Sequence, residues 1–312
     1  MGGSGGGGGS YTGWNAERLT KAVRVEQDKS VNSFQVQLAG YLSELLASYN
    51  SRDAGKVRER LDDCKAALGQ DLETTFDHLY GGSVAKHTYV DGLSDIDSLL
   101  IVNDSGLEDL SPPSVLQKMD ECLRGALPAG VVVTHGQMAV TVSYPDGMAI
   151  QLLPAIRTTG GLKVPSSRSG GWSQINPERF NEALTRRNQE CGGKLVPTIK
   201  LAKAIIATLP EQYRLTGYHV ESLAIAAFRG FKGEKTTSTM LPYFFQRAKD
   251  LVLAPIKDQS GQSVHVDGYL GDANSIVRQF ESRLIGNLAK RMNNASAAQS
   301  RAQWEALLSS EG

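Results

Sequence analysis

One segment, residues 82–97, constrains this 312-residue chain more than any other, because it joins a Gly-Ser turn to two aspartates that open a strand. Asp95 and Asp97 are followed at once by the apolar run 99–102. Residues i and i+2 of a strand point to one face, so the two carboxylates are predicted to converge. Backbone amides of a Gly-Ser turn can approach an anion closely. Metal-holding carboxylates beside a phosphate-holding loop are the apparatus of nucleotidyl transfer.

Neither charge nor hydropathy points to a nucleic-acid or membrane partner for the whole chain. Lys and Arg together number 33, as do Asp and Glu, so no global charge attracts the chain to RNA or lipid. No stretch approaches the roughly 18 apolar residues of a membrane-spanning helix. Three isolated cysteines, Cys64, Cys122 and Cys191, fit a reducing compartment and argue against a disulfide framework. We therefore expect a cytoplasmic monomer.

The chain is predicted to consist of a linker and two lobes. Residues 1–10 are almost all Gly and Ser, which is typical of an engineered linker without a fold of its own. Residues 11–172 mix helical and strand periodicity, which indicates an α+β lobe that includes the N-terminal helices. Residues 173–312 are dominated by helical patterns, which indicates an all-helical second lobe that completes a cleft.

The elements of these lobes follow from hydrophobic spacing and turn chemistry. The first lobe is predicted to contain helices at 31–49, 54–79 and from 111 onward, and strands at 95–102, 131–134, 138–143 and 148–153. Residues 157–172 are rich in Gly, Ser, Lys and Arg, and we interpret them as a connecting loop that crosses the front of the site. The second lobe is predicted to contain helices at 177–190, 194–209, 218–229, 237–252, 272–293 and 296–308.

The order of Gly82-Ser83, a short spacer and Leu-Ser-Asp-Ile-Asp at 93–97 resembles the signature of the cGAS/DncV-like nucleotidyltransferases of bacterial anti-phage (CBASS) systems. The resemblance implies a two-lobed nucleotidyltransferase fold, with a mixed sheet, flanking helices and a helical second lobe. It also implies a template-independent enzyme that joins nucleoside triphosphates into a cyclic di- or trinucleotide second messenger. Asp95 and Asp97 would bind Mg²⁺ or Mn²⁺, and Gly82-Ser83 would hold the donor phosphates.

A glutamine stands where the resemblance implies a third acid. That acid precedes an apolar-apolar-Pro-Ala stretch, here 152–155, and the residue in its place is Gln151. An amide oxygen can ligate a metal, but it brings no charge and is a poor base for an attacking hydroxyl. Three alternatives are open. Gln151 serves as a neutral ligand beside two catalytic acids, which we favour; another acid such as Asp146 replaces it; or the protein binds nucleotide with little turnover.

The resemblance extends to the helical half of the chain. Lys200 and Lys203 lie one turn apart on a predicted helix, and the resemblance implies that Lys203 contacts the donor triphosphate and Lys200 approaches the acceptor. Gly217 occupies the position of a phosphate-binding serine, so its backbone N–H or Thr216 would serve instead. Tyr218 would stack on the donor base. Taken alone, a lysine pair is also typical of a solvated helix face and a tyrosine of core packing. His219 and Glu221 are expected to be structural.

The expected partners are nucleoside triphosphates, ATP among them, and CBASS regulatory proteins. A ubiquitin-like conjugation machinery acting at Gly312 is a further expectation from the resemblance. Two rival functions stay open. One is a nucleotidyltransferase that modifies RNA or a small molecule, which the neutral charge disfavours for RNA. The other is a nucleotide-binding regulatory protein in which Gln151 has abolished turnover.

Overall fold

The computed structural model describes residues 16–49, 54–71, 75–80, 96–103, 109–159, 161–166, 170–258 and 265–309, and at a few of these, Asp97 included, the backbone alone. The described helices are α1 (Ala16–Ser48), α2 (Ala54–Asp71), α3 (Pro112–Ala126), α4 (Pro177–Glu190), α5 (Leu195–Ala207), α6 (Gly217–Ala227), α7 (Thr237–Leu251), α8 (Ile276–Ala297) and α9 (Arg301–Leu308). The described strands are β1 (Thr75–Tyr80), β2 (Ile96–Asn103), β3 (Val132–His135), β4 (Val140–Ser143), β5 (Ala149–Thr158), β6 (Gly161–Pro165) and β7 (Trp172–Ile175). Short 3-10 turns lie at Glu211–Tyr213 and Gly268–Leu270.

All seven described strands belong to one mixed sheet. Five of them follow the order β1-β2-β5-β4-β3, and β6 and β7 extend the sheet from β5. β2 and β5 are parallel, whereas the other pairs are antiparallel. β5 is long enough to pair with β4 near its start and with β6 near its end, and β7 pairs with β6. A Tyr-Pro-Asp-Gly turn joins β4 to β5, as its sequence predicts, and Gly147 adopts the positive φ that this turn requires. The α+β prediction is confirmed.

The two faces of the sheet are covered differently. Leu100 and Leu152 belong to the core that α2 and α3 close, together with Leu61 and Met119. Side chains alternate along a strand, so the neighbouring Ile101 belongs to the opposite face. On that face the apolar side chains of β6 and β7 pack against β5. Helices α2 and α3 therefore cover one face of the sheet, while the apolar cluster on the other face is formed among the sheet's own strands.

The helical half has its own larger core, built around α5, α6 and α7. The helix starts are set by side-chain caps, in which Asn176, Thr216, Thr236, Ser275 and Ser300 each accept a hydrogen bond from a backbone N–H three residues on. α1 contributes Phe34, Leu38 and Leu42 to this core. The first helix thus packs on the helical half. The lobe boundary after residue 172 stays a prediction.

Two predicted elements are wrong, and several boundaries are shifted, most of all the start of the first helix, which begins at Ala16 instead of 31. The helix predicted over 54–79 ends at Asp71, and Thr75–Tyr80 forms the strand β1. Its aromatic and β-branched residues suit a strand, and pairing with β2 supplies backbone hydrogen bonds that local periodicity does not reveal. The last two helices begin at 276 and 301, after their serine caps, instead of at 272 and 296.

The predicted loop at 157–172 contains most of a hairpin instead. β5 continues to Thr158, β6 covers Gly161–Pro165, and β7 begins at Trp172. Gly161 makes this possible, because its φ is 132° and a Cβ there would lie 2.5 Å from the Ile175 carbonyl oxygen. Only two buried apolar residues alternate within β6, too few to stand out against the surrounding glycines and serines. Of the helices described, none is both long and apolar enough to cross a membrane.

Candidate active site

Gln151 lies in the middle of three adjoining strands, directly beside one of the predicted acids. In the parallel pairing of β2 with β5, the backbone of Asp97 is opposite Gln151. On its other side, Gln151 is opposite Thr141 of β4. Gln151 itself is half-buried between the fully buried Ile150 and Leu152, so its side chain projects from the face that α2 and α3 leave uncovered.

The remaining residues of the predicted catalytic segment carry no structural description. Gly82, Ser83 and Asp95 lie outside the described residues, and Asp97 is described by its backbone alone. Among the side chains that are described, no three or more of His, Cys, Asp and Glu come together as a metal site. The prediction that Asp95 and Asp97 bind a metal therefore depends on the sequence. The register of β2 shows only that the backbone of Asp97 is opposite Gln151 in the sheet.

Asp146, the alternative third acid, is engaged elsewhere. At the tip of the β4–β5 turn it accepts two hydrogen bonds from the Arg60 guanidinium, both 3.0 Å long, and one of 2.6 Å from Lys56. Hydrogen bonds from Arg60 and then Lys56 hold the pKa of Asp146 well below its ordinary value. The Arg60 guanidinium also lies 3.9 Å from the ring centroid of Tyr144. Asp146 thus ties α2 to the hairpin, which argues against a role beside Asp97.

Lys203 lies against the first turn of α6. Its Nζ donates to Glu221 Oε1 at 2.7 Å, and the two side chains are only 8% and 1% exposed. Gly217 opens α6 next to this ammonium: a Cβ at that position would be 3.3 Å from Lys203 Nζ and 3.4 Å from Cε. Three residues that the sequence singled out separately, Lys203, Gly217 and Glu221, are therefore in one place.

Lys200 is also buried, one turn before Lys203 on α5. Burial, and then the neighbouring charge of Lys203, lower the pKa of Lys200. The lysine pair is consequently not a solvated helix face. Lys200 and Lys203 lie one turn apart beside the Glu221 carboxylate, and lysine ammonium groups are common phosphate ligands.

Tyr218, the predicted base-stacking residue, is held from two directions. Its hydroxyl donates to Asp258 Oδ1 at 2.7 Å, and its ring centroid is 4.6 Å from that of Phe180 at an interplanar angle of 41°. Asp258 is only 4% exposed. A ring fixed at its edge and on one side is suited to accept a planar ligand, because little side-chain entropy remains to be lost. Its role in binding a base remains a prediction.

A buried polar network of hydrogen bonds also contacts the start of α6. Tyr269 accepts a hydrogen bond of 3.3 Å from the Thr216 backbone N–H, and its hydroxyl is 2.8 Å from His219 Nδ1. Burial lowers the pKa of His219 to about 4, so the imidazole is neutral at pH 7. His219 Nε2 in turn lies 3.6 Å from Asp267, which accepts from Arg278 at 2.7 Å. The structural interpretation of His219 agrees with these contacts.

Sequence reasoning missed Asp258, Tyr269, Asp267 and Arg278. Each is more than ten residues from its partner and lies in a segment without a distinctive motif. The sequence around Asp267 and Tyr269 gives only a weak signal. Its glycines before a helix predict a loop, but they do not indicate that this loop contacts His219 or Arg278. The predicted residues that are described thus form two groups, one on β2 and β5 and one around the start of α6.

Comparison with known proteins places the first of these groups, on β2 and β5, within a known protein family. The family model of the Second Messenger Oligonucleotide or Dinucleotide Synthetase (SMODS) domain matches residues 34–188, which include the segment 82–97 and Gln151. A search of curated proteins finds no match.

Solved structures agree with the fold over nearly the whole chain. The Bradyrhizobium diazoefficiens CD-NTase CdnG in complex with GTP matches with a TM-score of 0.68 at 16% identity, over 87% of this chain and 95% of that one. E. coli MS115-1 CdnC with ATP matches with a TM-score of 0.62 at 15% identity, over 91% and 98% of the chains. The Vibrio cholerae cyclic AMP-GMP synthase DncV, bound to a linear intermediate, matches with a TM-score of 0.61 at 10% identity, over 95% and 90%.

Proposed function

The chain belongs to the cGAS/DncV-like nucleotidyltransferases, and from that premise we propose that it is a metal-dependent synthase of a cyclic di- or trinucleotide in bacterial anti-phage defence. The observation that carries the proposal is the register of the sheet, in which Asp97 is opposite Gln151 on parallel strands. This register lies inside the matched domain, whose description is that of a second-messenger oligonucleotide or dinucleotide synthetase. We place its action in the bacterial cytoplasm, where nucleoside triphosphates are available.

The residues at this register fit a divalent cation that prefers oxygen ligands. Asp95 and Asp97 would supply the negative charge, and Gln151 would supply a neutral amide oxygen from the adjoining strand. Mg²⁺ or Mn²⁺ held there would neutralise charge on the reacting phosphates. With two acids instead of three, Asp95 and Asp97 carry nearly all the electrostatic attraction for the cation.

The donor nucleotide would lie between the two groups of residues. Gly82-Ser83, the Gly217 N–H and the Lys203 ammonium would hold its triphosphate, and Tyr218 would stack on its base. Lys200 would approach the acceptor nucleotide. A sugar hydroxyl of the acceptor attacks the donor α-phosphate, the bond from that phosphate to pyrophosphate breaks, and the hydroxyl proton is released to solvent. Positive charge from Lys203 stabilises the charge that develops on the departing pyrophosphate. A later round closes the ring.

Regulatory proteins of the same defence systems are proposed as partners. E. coli MS115-1 CdnC has been solved in a complex with HORMA-deltaN, with 16% identity and a TM-score of 0.61 to this chain. We propose that a regulatory protein also binds this chain and controls its activity. Conjugation at Gly312, which lies outside the described residues, is a further proposal based on the family resemblance.

A second candidate function follows from one observation, the glutamine at the centre of the three strands. A protein with only two acids can bind nucleotide through Lys203 and Tyr218 and yet turn it over slowly. Such a protein would act as a nucleotide-dependent regulator. Asp146 is not available to compensate, because it is paired with Arg60 and Lys56.

Incubation with labelled ATP, GTP, CTP and UTP, in Mg²⁺ or Mn²⁺, distinguishes these functions. We expect phosphatase-resistant cyclic products and release of pyrophosphate. Products that form only with added RNA would refute the synthase and support an RNA-modifying enzyme. ATP binding without pyrophosphate release would support the regulatory protein. As controls, Asp95→Ala and Asp97→Ala should each abolish product; full activity in either variant would show that the catalytic site lies elsewhere.

A further inference from the structure

The carboxylate of Glu221 is in direct contact with Lys203, the lysine proposed to bind the donor triphosphate. Glu221 is on the second turn of α6, the helix that begins at Gly217. Its Oε1 accepts the 2.7 Å bond from Lys203, and it is 1% exposed. A carboxylate beside a phosphate site repels the phosphate, so it weakens binding unless it also contributes a favourable effect.

The benefit lies in how Lys203 is held. α5 is almost wholly buried along its length, and an ammonium in such surroundings loses its proton unless a partner compensates the charge. The effect is visible one turn away, where burial lowers the pKa of Lys200. Lys203, in contrast, has a carboxylate at hydrogen-bonding distance. Glu221 therefore pairs with a buried lysine at the place where a phosphate ligand is proposed to bind.

Glu221 also directs the ammonium toward the start of α6. Lys203 Nζ is within 3.3 Å of the place where a Cβ of residue 217 would be, so the side chain lies across the glycine at the first position of the helix. The peptide N–H groups of a helix start carry partial positive charge. Lys203 and the helix start thus bring positive charge to the same region, and Glu221 accepts a hydrogen bond from Lys203 there.

We infer that Glu221 is a positioning residue: it holds Lys203 directed at the donor triphosphate, and so sets the affinity of the enzyme for its donor nucleotide. This inference depends on the proposed role of Lys203. It assigns to Glu221 a function that neither the sequence nor the fold requires, since a buried ion pair can often be replaced by apolar residues without loss of stability.

The test is binding of a non-hydrolysable ATP analogue to the full chain at pH 7. In Glu221→Gln, which keeps the shape but removes the charge that holds Lys203 in place, affinity should fall by about tenfold relative to wild type. Glu221→Asp, which restores the charge, should recover most of the wild-type affinity.

Controls separate this inference from a loss of stability and from failure of the proposed function. Glu281→Gln makes the same chemical change at another buried glutamate and should leave the affinity for the analogue unchanged. If Lys203→Met binds the analogue as well as wild type, the proposed role of Lys203 is wrong. If Lys203→Met weakens binding but Glu221→Gln keeps the wild-type affinity, only the inference about Glu221 is overturned.

A double variant keeps the test decisive even when Glu221→Gln folds poorly. Replacing both partners with methionine removes the charges together and is expected to preserve the fold. Adding Glu221→Met to Lys203→Met should then cause no further loss of affinity, because Glu221 acts through Lys203. A substantial additional loss would show that Glu221 acts on the nucleotide by another route and would refute the inference.

Discussion

The stability of this protein should fall as pH rises through neutrality, because of one buried carboxyl group. Glu281 on α8 is 4% exposed, and its Oε2 has no hydrogen-bond partner within the described residues. Burial raises its pKa from 4.5 to about 7. Between these two values the folded protein keeps a proton that the unfolded chain releases. The folded state therefore binds more protons than the unfolded state, and stability decreases with pH.

The magnitude follows from the size of the shift. A rise from 4.5 to about 7 corresponds to about 3 kcal/mol of unfolding free energy, present in full below about pH 4.5 and lost as the pH rises through 7. Glu281→Gln cannot ionise, so it should escape this loss. We expect the variant to gain about 3 kcal/mol over wild type at pH 8 relative to the difference between them near pH 4.5.

Urea unfolding of both proteins across this pH range measures the effect. Glu182→Gln, an exposed position on α4, serves as the matched control and should follow wild type at every pH. The decisive quantity is the difference in unfolding free energy between wild type and Glu281→Gln as a function of pH. A difference that stays constant from pH 4.5 to pH 8 would show that the Glu281 carboxyl is ionised in the folded protein and would refute the reasoning.

Three further predictions concern the site and its supports. Gln151→Asp adds a third charge beside Asp97 and should lower the Mn²⁺ concentration for half-maximal turnover by on the order of tenfold; an unchanged metal requirement would place Gln151 outside the site. Asp146→Asn should leave turnover unchanged, because Asp146 is paired at the hairpin tip; loss of turnover in a folded variant would restore it as a candidate acid. Asp267→Asn leaves the buried Arg278 uncompensated and should cost about 3–5 kcal/mol in urea unfolding; a loss below about 1 kcal/mol would show that water or another group compensates that charge.

Elements with strong local signals could be predicted from the sequence. α3 begins at Pro112 after the Ser111 cap, α4 begins at Pro177 after the Asn176 cap, and the β4–β5 hairpin turns at Pro145-Asp146-Gly147. In each case a cap or a turn acts over only three or four residues, so the chain itself carries the information. The motif at 82–97 and the glutamine at 151 are local in the same sense, which is why they indicated the reaction class.

Elements that depend on a distant partner could not be predicted. Residues 75–80 have helix-like spacing, but they form a strand because β2 pairs with them. β6 has only two buried apolar residues and exists because β5 and β7 lie on either side. Strand pairing of this kind overrides local preference, since the gain comes from backbone hydrogen bonds and burial that a single segment does not possess.

The sequence alone determined the chemistry that the chain can offer: an aspartate pair, a Gly-Ser turn, a lysine pair and a tyrosine at intervals typical of one family. Local spacing suffices for that, because each motif acts within a few residues. Only the tertiary structure decided how those groups are held. It placed Asp97 opposite Gln151, paired Lys203 with Glu221 across two helices, and set Tyr218 against Asp258. Such contacts depend on packing between elements that are distant in the chain, and local spacing within one segment does not contain that information.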